Sequence, residues 1–134
     1  MNLNTLHRSE RLKSAKSISQ LFETGKSLFV HPIRLLYHIN PSSECVLIKV
    51  GFAAPKKSFR RAIDRNILKR RMREAYRINK SKFLILDKSP FPGLEIMFIY
   101  QGKEIEDFTK ISVCTIELLK KLSIKLSKMN YVRI

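Results

Sequence analysis

The stretch Lys56-Lys57-Ser58-Phe59-Arg60-Arg61-Ala62-Ile63-Asp64-Arg65-Asn66-Ile67-Leu68-Lys69-Arg70-Arg71-Met72-Arg73-Glu74-Ala75-Tyr76-Arg77-Ile78-Asn79-Lys80-Ser81-Lys82 sets twelve Lys and Arg against two acids, Asp64 and Glu74. This fifth of the chain carries +10 of a formal net charge of +16. From Arg61 to Asn79 the spacing predicts a helix. At about 100° per residue, Lys69, Arg73, Asn66, Arg77 and Arg70 share an arc of roughly 100° with Ala62, and Arg65 lies at its border. Ala75, Leu68 and Met72 cluster on the opposite side, with Tyr76 at its edge, as a face able to pack on a sheet.

The elements around this helix follow from local signals. Ser14 is a candidate N-cap for Ile18, Leu21 and Phe22, and Gly25 stops that helix near Thr24. Ser27 to Ile39 is rich in β-branched and aromatic residues and reads as one strand, with Pro32 marking an edge or a bulge. After the turn cluster Asn40-Pro41-Ser42-Ser43-Glu44, Cys45 to Ala54 reads as a second strand, expected to pair with the first as an antiparallel hairpin. Leu94 to Tyr100 is apolar on both faces and is expected to be either central in a sheet or covered. Phe83 to Leu86 continues or re-nucleates the basic helix before Pro90, Pro92 and Gly93 break the chain. Asp107 caps a last helix to about Leu126, with Ile111, Cys114, Leu118 and Leu122 inward and Ile124 or Lys125 turning out. The order α-β-β-α-β-α predicts a small α+β domain, a two-layer sandwich of helices on one sheet.

The 134 residues suffice for one core, and a hydrophobic share of 44% with 28% charged residues is that of a folded protein. No stretch approaches the ~18 apolar residues of a membrane span. Met1 to Arg11 lacks the pattern of a secretory signal, so the expected compartment is the cytoplasm. Cys45 and Cys114, lying in apolar runs, match neither a disulfide scaffold nor a zinc spacing and read as buried reduced thiols. His7, His31 and His38 form no metal pattern.

Concentrated charge of this kind points to a polyanion. Arg presents a planar fork that holds two phosphate oxygens, and Lys a compact point charge; both displace condensed counterions. Asn66 adds a neutral donor and acceptor for a sugar hydroxyl, a base edge or a metal-bound water. The bland alternative is a solvated helix face. It is disfavoured because few acids stand at i,i+4 to neutralise the bases. A membrane-surface helix would need a free bulky apolar face, whereas this one is expected to be covered by the sheet. No helix-turn-helix spacing, zinc ligands or heptads support DNA, and composition alone favours RNA only modestly.

The motifs sharpen that choice. Lys56-Lys57, Ala62-Ile63-Asp64-Arg65-Asn66-Ile67-Leu68-Lys69-Arg70 and Arg73-Glu74-Ala75-Tyr76-Arg77 resemble the signature helix of the bacterial ribonuclease P protein family. Arg11-Leu12-Lys13, Phe22, Gly25-Lys26-Ser27 and Leu35-Leu36-Tyr37 are similar to that family's first helix and first strand, so the resemblance spans residues 8–126. It implies a single RNA-binding domain over those residues, with 1–7 and 127–134 as flexible ends, and a βαβ crossover of left-handed sense. It further implies the catalytic RNA of ribonuclease P as partner and precursor tRNA as shared substrate, with hydrolysis performed by the RNA and Mg2+ held mainly by RNA and substrate. Under the resemblance, RNA contacts fall on Lys56, Lys57, Arg61, Arg65, Asn66, Lys69, Arg70, Arg73 and Arg77. The 5′ leader would lie in a cleft between first helix and sheet, against Ile18, Phe22 and Tyr37. No catalytic residue and no protein-held metal is expected, nor any DNA or membrane partner.

Three departures from the family pattern stand out. Ile67 replaces the third residue of an Arg-Asn-Arg core, with Arg71 a candidate to compensate. Ile18 replaces an aromatic residue of the first helix, and the connection from Lys57 to Arg65 is one residue longer, with Arg60 and Arg61 added. Two other classes compete: a structural RNA binder of the ribosomal-protein kind, and a protein-only nuclease. The second would need a carboxylate cluster to hold metals. Asp64 and Glu74 read instead as local charge partners and Asp107 as a cap.

Overall fold

In a computed structural model of the protein, Ser27 to Ile39 does not form one strand. The structure describes residues 12, 15–40, 48–83 and 93–128. Pro32, without an N–H to donate to a ladder, sits in a tight turn after a cis His31–Pro32 peptide. The chain doubles back there as β1 (Lys26–Val30) and β2 (Ile33–Asn40), paired antiparallel from Lys26↔Tyr37 to Val30↔Ile33. The remaining elements are α1 (Ala15–Thr24), β3 (Ile48–Ala53), α2 (Ala62–Phe83), β4 (Gly93–Tyr100) and α3 (Phe108–Lys128). The order is therefore α-β-β-β-α-β-α, one strand more than expected. Ser14, the turn cluster around Ser42, Cys45, Leu84 to Leu86 and the two chain ends lie outside the described residues.

The sheet order β1-β2-β4-β3 also corrects the expected pairing. β2 and β3 are not hydrogen-bonded neighbours; β4 lies between them, antiparallel to β2 and parallel to β3. The physical reason is in β4 itself. All eight of its residues are buried, so an edge position would expose one of its apolar faces. The parallel pairing of β3 with β4 makes β3-α2-β4 a crossover unit.

Alternation divides the sheet into two faces. Ile33, Leu35 and Tyr37 of β2, Val50 of β3, and Leu94, Ile96, Phe98 and Tyr100 of β4 meet Leu68, Met72 and Tyr76 of α2 and Ile111, Leu118 and Leu122 of α3 in the main core. Phe52 and Phe98 stack at 5.5 Å, and the Tyr76 ring tilts against Phe98 at 5.7 Å. The opposite face holds a smaller cluster, where Leu21 and Ile18 of α1, with Leu12, cover Leu36, Met97, Ile99 and Ala53.

α3 starts where expected: Asp107 Oδ1 accepts the Lys110 N–H at 2.9 Å, satisfying an otherwise orphaned donor. Its inward stripe is Ile111, Cys114, Leu118 and Leu122, and Ile124 and Lys125 both face solvent. Burial raises the pKa of the Cys114 thiol, which donates to the His31 carbonyl at 3.0 Å.

α1 ends at Gly25, whose N–H bonds the Leu21 carbonyl at 2.9 Å. A Cβ there would lie 2.3 Å from that oxygen, a backbone atom that cannot yield without moving the helix end. Gly51 is less constrained, because its added Cβ would meet the flexible end of the Met97 side chain. Gly25→Ala is expected to cost about 1–3 kcal/mol, and Gly51→Ala less, in urea unfolding of the two variants.

Candidate nucleic-acid interface

The positively charged surface is organised by what α2 buries. Leu68, Met72, Ala75 and Tyr76 are essentially inaccessible, so the opposite side of the helix must face water. Asn66, Arg70 and Arg73 are exposed there and Lys69 is half-buried. With Ile63 and Ile67 they line an open surface depression of about 510 Å³. Among the described residues no carboxylate pairs with Lys69, Arg70 or Arg73. The Arg73 guanidinium lies 5.8 Å from the centre of the Phe52 ring, which moors this face to β3.

Lys56 and Lys57 are exposed in the turn that follows β3. The Ser58 and Phe59 N–H groups close this turn on the Pro55 carbonyl, at 3.2 and 3.1 Å. Phe59 is buried against Tyr100 with ring centres 5.7 Å apart. Arg65 completes the anchorage: its Nη1 donates to the carbonyls of Phe59 at 2.7 Å and Arg60 at 2.9 Å. One nitrogen of its fork is thus committed to holding the loop that carries Lys56, Lys57 and the exposed Arg61.

Two further arginines are tied internally. Arg77 forms a hydrogen-bonded ion pair with Glu74, one turn earlier. The hydrogen bond from Arg77 holds the Glu74 carboxyl below its ordinary pKa. The pair's contribution is therefore complete above the usual glutamate range and is lost as pH falls through the lowered value. Arg71, the candidate to compensate for Ile67, is directed away from the depression toward the loop before α3. It donates to the Glu106 carbonyl and ties α2 to the loop before α3. The Tyr100 hydroxyl bonds the same loop, donating to Glu104 O and accepting from Glu106 N, and burial raises its pKa.

On the other side of the sheet, Ile18 and Phe22 sit on α1. Ile18 is half-buried on the smaller cluster, whereas Phe22 is 55% exposed. Tyr37 does not join them. It shares a face with Leu35 and Ile33 and is 4% exposed in the main core, where burial raises its phenol pKa. Only its edge reaches a hollow of about 180 Å³ shared with Thr24, Lys26, His38 and Ile39. The strand residues that do share a face with α1 are Leu36, Met97, Ile99 and Ala53.

A model of the Ribonuclease P family matches residues 6–123. The chain belongs to that family. It is 33% identical over 106 residues to the ribonuclease P protein component of Porphyromonas gingivalis, covering 79% of this chain and 77% of that one. A ribonuclease P protein component from Chlorobium phaeobacteroides is 34% identical over 110 residues, covering 76% and 75%. Among solved structures, the ribonuclease P protein of Thermotoga maritima superposes with a TM-score of 0.66 at 28% identity, over 84% of this chain and 96% of that chain. The Staphylococcus aureus protein, at 20% identity and a TM-score of 0.65, shares the fold over 87% and 96%. As a ribonuclease P protein subunit, the chain supports tRNA 5′ processing together with an RNA component, within an endonuclease holoenzyme.

The anchoring role of Arg65 separates it from its neighbours. Arg65→Ala is expected to destabilise the protein by about 1–3 kcal/mol, because two loop carbonyls lose a charged donor. Lys69→Ala and Arg70→Ala are expected to stay within about 0.5 kcal/mol of the parent. Equilibrium unfolding of the three single variants checks the contrast.

Proposed function

We propose that Asn66, Lys69, Arg70 and Arg73, continued by Lys56, Lys57 and Arg61, grip the catalytic RNA of ribonuclease P. The single-stranded 5′ leader of precursor tRNA lies along α1 beside the sheet, against Ile18 and the exposed Phe22. The observation that carries the reading is a cationic helix face without acidic partners among the described residues, rigidly backed by core packing and continuous in chain with an anchored Lys-Lys turn. Arg65 acts as a positioning residue for that turn, and Arg77, engaged by Glu74, lies at the margin of the surface. The folding unit for this task is residues 8–126, and its compartment is the cytoplasm. Among the described residues no helix is long and apolar enough to cross a membrane.

The mechanism is electrostatic. A polyanionic ribozyme and a polyanionic substrate repel each other at close range, and ammonium and guanidinium groups between them offset that repulsion while releasing counterions. Ile18 and Phe22 offer apolar and aromatic surface to unpaired bases, which double-stranded RNA keeps hidden. Mg2+ supplies the metal-assisted hydrolysis when bound to RNA and substrate. Among the described residues no three His, Cys, Asp or Glu side chains converge as a metal-ligand set.

Reconstitution tests the assignment. The protein alone is expected not to cleave precursor tRNA. With its cognate RNA it is expected to lower the magnesium requirement and to favour substrates that carry a leader; equal cleavage with and without protein at low magnesium would reject the reading. The helix face has its own readout. Lys69→Ala or Arg70→Ala should each lower the slope of log affinity against log salt by about 0.7–0.9 for each phosphate that is no longer neutralised, and an unchanged slope would mean these side chains touch no phosphate.

A further inference from the structure

The sheet face beneath α1 carries an aromatic–cationic station beyond Ile18 and Phe22. In register across the four strands, Ala53 of β3, Ile99 of β4, Arg34 of β2 and Phe29 of β1 form one row. Ala53 and Ile99 belong to the cluster beneath α1, so the whole row looks toward that side. The row starts at the end of β3, three residues before Lys56, and finishes on the outer edge strand. Three strand spacings of about 4.8 Å make it roughly 14 Å long.

Its outer end departs from what an edge strand normally shows. Phe29 is 46% exposed, while its neighbours Leu28 and Val30 turn to the main core. The Arg34 guanidinium lies over the Phe29 ring at 5.8 Å, and the exposed His31 meets that ring edge-on at 6.2 Å. Arg34 Nε is buried and has no hydrogen-bond acceptor among the described residues. The guanidinium is thus only partly satisfied inside the molecule, and Arg34 as a whole is no more than half-buried. An accessible ring beside a cation with an unused donor fits the two chemical parts of a nucleotide, a flat base and an anionic phosphate.

We propose that Phe29 and Arg34 form a terminal station of the leader track, where one unpaired leader nucleotide stacks its base on Phe29 and sets its phosphate against Arg34. The inference rests on the leader lying along α1 beside the sheet. It adds that the leader, having passed α1, is held again at the outer edge of the sheet, on β1. The ligand class is single-stranded RNA with little sequence preference, since every base presents a π face.

The test uses holoenzyme reconstituted from RNA and full-length protein, with precursor tRNAs whose leaders are lengthened one nucleotide at a time. Affinity of the parent is expected to rise in steps with leader length. Phe29→Leu, which keeps apolar bulk on an exposed site, is expected to remove a late step, a loss of about 5- to 100-fold, the size of one base–aromatic stack. Arg34→Lys is expected to shrink the same step. An abasic nucleotide at that leader position should make parent and Phe29→Leu protein equal, an effect that a general change in folding would not produce. The inference is overturned if Phe29→Leu leaves every step intact, or weakens leaderless tRNA equally. Phe22→Leu is run beside it. Loss of leader affinity in Phe22→Leu with none in Phe29→Leu rejects only the terminal station, whereas no loss in either rejects the leader path along α1 itself.

Discussion

Everything the surface does depends on one contact, the seating of Leu68, Met72, Ala75 and Tyr76 against the sheet and α3. Tyr76 tilts on Phe98, Phe98 stacks on Phe52, and Arg73 reaches back over the other side of that assembly to the Phe52 ring. A helix with so many bases would repel itself in isolation, and its helicity in water would be marginal. Burial of one apolar face offsets that repulsion and fixes the rotation of the helix. Lys69, Arg70 and Arg73 are then presented as a group, because the helix cannot turn them inward without withdrawing Leu68 and Met72 from the core.

The charged residues divide by what their donors meet. Arg65, Arg71 and Arg77 direct theirs inside the molecule, to loop carbonyls or to Glu74. A guanidinium suits that task, since it satisfies several acceptors and keeps its charge in every protonation regime near neutrality. The two carbonyls held by Arg65 lie in the connection that carries Arg60 and Arg61, and its bonds give that segment a defined course. The internal arginines stiffen the platform, and beside them stand the uncommitted groups proposed to meet RNA.

Helices and the basic face are legible in the sequence because both depend on local periodicity. The stripe from Ile111 to Leu122, the Asp107 cap and the opposition of Leu68 to Arg70 are properties of residues three and four apart. Strand pairing is not legible in the same way. Pro32 interrupts a run of uniformly high β-propensity, and nothing local distinguishes a bulge from a reversal; only pairing with β2 from Lys26 to Val30 decides it. The placement of β4 between β2 and β3 is a long-range competition for the most buried site. Tyr37 shows the consequence for function: a residue's face follows from register, and in this register Leu36, not Tyr37, looks toward α1. Arg65 sits with the contact residues on a helical wheel, because its loop partners return to it only in three dimensions.

The departure at Ile67 from the family's helix pattern acquires a physical sense from these placements. Ile67 is half-buried and shares the surface depression with Ile63, Asn66 and Arg70, so the missing base leaves apolar surface between cations rather than a gap. Apolar groups there lower the local dielectric around the neighbouring charges and strengthen each one's pull on a phosphate. Arg71 places its charge elsewhere, since its Nη1 donates to the Glu106 carbonyl and holds the loop before α3. Along this face Lys69, Arg70 and Arg73 are therefore interspersed with the apolar surface of Ile63 and Ile67. On the proposed reading, such a face offers a folded RNA shape as well as charge.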